Sequence, residues 1–97
     1  MNGHRRLVSI SGDEEIKIFY FPFLLGKQEG LVDYVIARDT VSRLHARIDQ
    51  ENGGYTVTDL NSTNGIRVDG RLLETNETVP LSVGSEIYLA DAGFLFL

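Results

Sequence analysis

Three short stretches of this 97-residue chain hold the residue types that bind anions. Gly26-Lys27 places a cation directly after an apolar run. Val41-Ser42-Arg43-Leu44-His45-Ala46 adds a hydroxyl, a guanidinium and an imidazole. Asp59-Leu60-Asn61-Ser62-Thr63-Asn64-Gly65 adds further hydroxyls and two free amides. A phosphate dianion presents several acceptor oxygens, and each charge-assisted hydrogen bond to one contributes about 1.5–3 kcal/mol. Lys27, Ser42, Arg43 and Thr63 are donors of that kind. Asn61 and Asn64 can address a peptide main chain as donor and acceptor together.

Other chemistries fit these residues poorly. Ser42, His45 and Asp39 or Asp59 have the residue types of a nucleophilic triad. However, Ser42 and His45 stand three apart at the entry to a strand, with no Gly-x-Ser-x-Gly elbow to present the serine. Gly26-Lys27 lacks the glycine spacing and the following Ser/Thr of a nucleotide-binding P-loop. With no cysteine and only His4 and His45, the chain has no ligand set for a structural or catalytic metal, and neither catalytic residues nor a cofactor are expected.

The elements that must hold these loops read as short strands punctuated by glycine and Asx turns, a pattern of all-β sandwiches. Strands are predicted over residues 7–10, 16–21, 23–25, 34–36, 44–48, 55–60, 86–90 and 93–97. In 16–21, Ile16, Ile18 and Tyr20 share one face and Lys17, Phe19 and Phe21 the other, and Pro22 ends the run. In 44–48, Ala46 and Ile48 face opposite to His45 and Arg47. Asp69-Gly70 suits the two positive φ angles of a type I′ hairpin within 67–72. Ile87 and Leu89 face inward, as do Phe94 and Phe96 on a terminal strand. No apolar period of 3.6 residues persists for three turns, so no helix is expected.

In this order and spacing, Gly26-Lys27, Ser42-x-x-His45 and Ser62-Thr63-Asn64-Gly65 resemble the forkhead-associated (FHA) family, bacterial-type members in particular. The likeness runs from about Phe23 to Leu97 and includes Val68-Asp69-Gly70 and Leu81-x-x-Gly84-x-x-Ile87. Residues 1–22 carry no motif and would supply the opening strands by position. The resemblance implies a sandwich of two twisted, mainly antiparallel sheets with about eleven strands and ligand loops at one end. It implies binding of phosphothreonine-containing segments made by a Ser/Thr kinase. Ser42 and Thr63 would donate to the phosphate, Arg43 would reach the phosphate or the adjacent peptide, and Asn64 would hold the peptide backbone. Gly26, His45 and Gly65 would shape the loops. The family usually carries arginine where this chain has Lys27. Lysine keeps the charge and loses the two-pronged grip, a difference of about 1–2 kcal/mol, which Arg38 or Arg43 could offset. That departure leaves open an alternative, a phosphate-independent interaction or scaffold module on the same fold. A third reading is docking on a phosphorylated segment of the parent chain.

Composition sets the outer bounds. The net charge of −5 argues against a general nucleic-acid partner. Residues 1–48 hold seven Lys/Arg against six Asp/Glu, whereas 49–97 hold two against eight, so any anion site draws its cations from the first half. No stretch reaches the roughly 20 apolar residues of a membrane span, and no leader with an apolar centre follows His4-Arg5-Arg6. The sequence thus points to one domain over 1–97, cytoplasmic, without direct membrane insertion, and part of a larger protein.

Overall fold

The computed structural model describes residues 4–97. Eleven strands are found among them, and no helix. They are β1 (Arg5–Ser9), β2 (Glu15–Ile18), β3 (Phe23–Gly26), β4 (Tyr34–Val35), β5 (Ala46–Glu51), β6 (Gly54–Asp59), β7 (Ile66–Val68), β8 (Arg71–Leu72), β9 (Thr78–Leu81), β10 (Glu86–Leu89) and β11 (Ala92–Phe96). One sheet has the order β2-β1-β11-β10-β7-β8, and the other β4-β3-β5-β6-β9. Every pairing is antiparallel except β3 with β4. Among the described residues no helix is long and apolar enough to cross a membrane.

Period-two alternation turns one face of each sheet inward. Leu7, Ile16, Ile18, Ile87, Leu89, Phe94 and Phe96 come from the first sheet. They meet Phe23, Leu25, Ala46, Ile48, Val57 and Leu81 from the second, all buried. Removing that apolar surface from water, at roughly 25 cal/mol per Å², is what holds the layers together. Tyr55 closes one edge of the core, its ring meeting Phe96 edge-on at 5.3 Å.

Register decides which loops meet. Leu25 pairs with Ala46 and Ala46 with Asp59, so the exits of β3 and β6 and the entry to β5 share one end of the sheet. In the other sheet Ile66 pairs with Leu89, which brings the entry of β7 and the β10–β11 turn to that same end. Ala90 N–H donates to the Gly65 carbonyl at 3.0 Å and ties the two together.

Several sequence expectations need correction. The second strand ends at Ile18, not at residue 21. Tyr20 does not share the buried face of Ile16 and Ile18 but is exposed, as is Phe19, because the chain leaves the sheet towards the cis Phe21–Pro22 bond. β5 begins at Ala46, so His45 is not part of the strand. It lies before the strand and is completely buried. β9 was not anticipated at all. Asp69 (φ 49°) and Gly70 (φ 87°) do form the turn that their types require.

Candidate functional site

The end of the sandwich assembled by this register carries a cleft of about 540 Å³. Lys27, Ser42, Arg43, Thr63 and Asn64 all line it, together with Leu31, Asp39, Thr40 and Asn61. The three stretches singled out in the sequence are thus brought to one surface from loops up to 37 residues apart (27 to 64).

Gly26 sets the closeness of the first two loops. A Cβ on Gly26 would stand 2.1 Å from the Arg43 carbonyl oxygen, so only glycine admits this approach. Lys27 N–H donates to the Ser42 carbonyl at 2.9 Å and to that of Arg43 at 3.1 Å, and Gln28 N–H follows at 3.2 Å. The backbones that carry the cation and the hydroxyl are therefore tied to one another.

His45 joins the second loop to the third. Its Nδ1 accepts the Ser42 amide at 3.0 Å, so the ring proton sits on Nε2, which donates to the Gly65 carbonyl at 2.9 Å. Both nitrogens are thereby used, and neither is open for proton transfer. Desolvation holds the imidazole below its ordinary pKa, against the opposing pull of the Gly65 carbonyl and the Asp59 charge.

The third loop is braced from within. Ser62 Oγ–H donates to buried Asp59, and the Gly65 amide donates to Ser62 Oγ at 3.0 Å. Left-handed backbone falls at Asn61 (φ 59°) and Gly65 (φ 84°), so Asn64-Gly65 is not the type I′ pair that its composition also allows. Thr63 N–H donates to Ser42 Oγ at 2.9 Å. Asn64 Nδ2 donates to the Thr40 carbonyl at 2.8 Å, which leaves its carbonyl oxygen and second hydrogen without a partner among the described residues.

The outcome for the cations is uneven. Among the described residues neither Lys27 nor Arg43 has an acid within ion-pairing distance, and both are exposed in the cleft. Arg38 is not there. Its guanidinium stands 3.6 Å from Asp91, outside the cleft lining, and so it does not make up for the lysine at position 27. Thr40 was missed in the sequence because a threonine before the motif carries no pattern of its own. Its carbonyl and hydroxyl nevertheless join two loops.

The FHA domain family matches residues 23–90 of this chain. Mycobacterium tuberculosis EmbR, solved with a low-affinity phosphopeptide, superposes with a TM-score of 0.87 at 26% identity over 97% of this chain. This chain spans only 24% of that one's length. The FHA domain of the Chlamydia trachomatis CT664 protein gives 0.85 at 26% identity, covering 98% of this chain and 97% of its own. A domain solved in a study of phosphothreonine-dependent FHA interactions shares the fold at 0.84, with 21% identity over 97% of this chain and 95% of its own. No curated protein matches the chain. With the family match covering most of its length, and with the loop motifs gathered at one end of a two-sheet sandwich, the chain belongs to the FHA domain family.

Proposed function

We propose that the cleft binds phosphothreonine-containing segments of partner proteins, the products of a Ser/Thr protein kinase. One observation carries this reading. The Lys27 ammonium, the Arg43 guanidinium and the hydroxyl hydrogens of Ser42 and Thr63 converge on one cleft, and none has an acceptor among the described residues. Free donors of both charged and neutral kinds, on loops braced from behind, match the several acceptor oxygens of a phosphate dianion. Asn64, anchored through one hydrogen, keeps a donor and an acceptor for the peptide main chain. Solved relatives point the same way, since EmbR is in complex with a phosphopeptide.

The mechanism is recognition without chemistry. His45 has both nitrogens engaged in loop-to-loop bonds, and the hydroxyl of Ser42 has no base beside it. The domain would serve as one FHA module over 1–97 within a larger cytoplasmic signalling protein, with neither nucleic acid nor membrane as its ligand.

Fluorescence polarisation against degenerate phosphothreonine, phosphoserine and unphosphorylated peptide libraries tests this. Saturable binding to the phosphothreonine library alone is expected. Equal binding to the unphosphorylated library would favour a phosphate-independent interaction module on the same fold.

A further inference from the structure

The β10–β11 turn touches the second and third loops of the cleft and lies at and just beyond the end of the family match at residue 90. Ala90, itself left-handed at φ 57°, gives its amide to the Gly65 carbonyl, which also accepts His45 Nε2. Asp91 reaches the other side. Its Oδ1 accepts the Thr40 hydroxyl at 2.6 Å and lies 3.6 Å from the Arg38 guanidinium. Thr40 in turn accepts Asn64 Nδ2 on its carbonyl at 2.8 Å. A continuous path therefore runs from Asp91 through Thr40 to Asn64, linking residues far apart in sequence.

We infer that Asp91 is a positioning residue for the phosphopeptide cleft: it fixes Thr40, and through Thr40 the Asn64 amide. This inference rests on the reading of the cleft given above. The Asp91 carboxylate is well suited to the task. The Thr40 hydroxyl foremost, and the Arg38 charge after it, hold its pKa below the ordinary carboxylate value, so it remains an acceptor throughout the neutral range. One consequence follows for the site. The distance between the loop of Ser42 and the loop of Asn64 is set from the β10–β11 turn as well as by His45.

The contact can be separated from general stability with Asp91→Ala, Asp91→Asn and Thr40→Val. Asparagine keeps an acceptor for Thr40 and alanine does not. Asp91→Ala and Thr40→Val should each weaken binding of labelled degenerate phosphothreonine peptides by roughly five- to tenfold. Asp91→Asn should stay within about twofold. The double variant Asp91→Ala/Thr40→Val should bind no more weakly than either single one, because both break the same link. In the free protein, the side-chain amide signals of Asn64 in 1H–15N spectra should move in the alanine and valine variants and not in the asparagine one. Unmoved Asn64 signals would overturn the inference, as would moved signals with unchanged affinity. If the wild type binds no phosphothreonine peptide, the reading of the cleft fails, while the Asn64 signals still decide whether Asp91 sets that side chain. Asp91→Asn and Thr40→Val keep the test intact should Asp91→Ala fail to fold.

Discussion

Ser42 Oγ accepts the main-chain amide of Thr63 at 2.9 Å, so the two residues proposed to donate hydroxyls to phosphate are already bonded to one another. The bond uses an oxygen lone pair of Ser42 and leaves its hydrogen free. Because Ser42 lines the cleft, that hydrogen is available to a ligand there. One serine therefore has two tasks: it latches loops 21 residues apart and presents a donor.

Ser42→Ala removes both at once. Loss of one hydrogen bond to a charged phosphate should cost about 1.5–3 kcal/mol, roughly ten- to a hundredfold in Kd. Losing the latch should lower unfolding stability by only about 1 kcal/mol. Titration calorimetry with a phosphothreonine peptide, paired with urea unfolding, separates the two. A stability loss with unchanged affinity would reduce Ser42 to a loop brace.

Lys27 is the position where this chain departs from its family, and the structure offers it no help from Arg38. A single ammonium reaches one phosphate oxygen well, whereas a guanidinium reaches two with fixed geometry. Lys27→Arg should therefore tighten phosphothreonine binding by about 1–2 kcal/mol, roughly five- to thirtyfold. The side chain is exposed, so unfolding should hardly change. Weaker binding in the arginine variant would show that the loop geometry is matched to lysine.

Much of this site was legible before any coordinates, and the reasons differ by residue. Gly26, Ser42, His45, Thr63 and Asn64 stood out because their types, order and spacing along the chain resemble the family's motifs, and the structure brings them to one end of the sandwich. The inward faces at Ile87, Leu89, Phe94 and Phe96 follow from alternation alone. Strand β9 went unseen because Pro80 interrupts its pattern. It is an edge strand, where a missing N–H is tolerated, and Pro80 pairs with Thr56 there. His45 was placed within a strand because periodicity says nothing about where a strand begins. The roles of Thr40 and Asp91 depend on a contact across 51 residues, for which neither leaves a local mark.

Gly26→Ala should be the most damaging small change in the domain. The added methyl would press on the backbone oxygen of Arg43, which cannot rotate away as a side chain would. Relief requires moving the loop that holds Ser42 and Arg43, so a loss of roughly 2–3 kcal/mol is expected, with phosphopeptide binding abolished in parallel. Gly54→Ala is the matched control, since its nearest atom, the Glu51 carbonyl oxygen, lies 3.7 Å from the new carbon. That variant should fall within about 1 kcal/mol of wild type. Comparable losses in the two would mean that the close approach at Gly26 is not what demands glycine.

Acid should loosen the loops through His45. Desolvation lowers its folded-state pKa beneath the ordinary 6.5, even though the Gly65 carbonyl and Asp59 favour the charged ring. The unfolded chain then binds the proton more readily than the folded one, so this residue's contribution is fully present above about pH 6.5 and declines as pH falls below it. The geometry agrees with that sign. A proton on Nδ1 would confront the Ser42 amide that now donates to it, and the Ser42 loop would lose its tie to Gly65. Thermal unfolding of wild type should fall measurably between about pH 7.5 and about pH 5.5. His45→Gln should be less stable at neutral pH and show a shallower decline over the same interval. Equal slopes in the two proteins would place the acid sensitivity elsewhere and leave His45 as a brace alone.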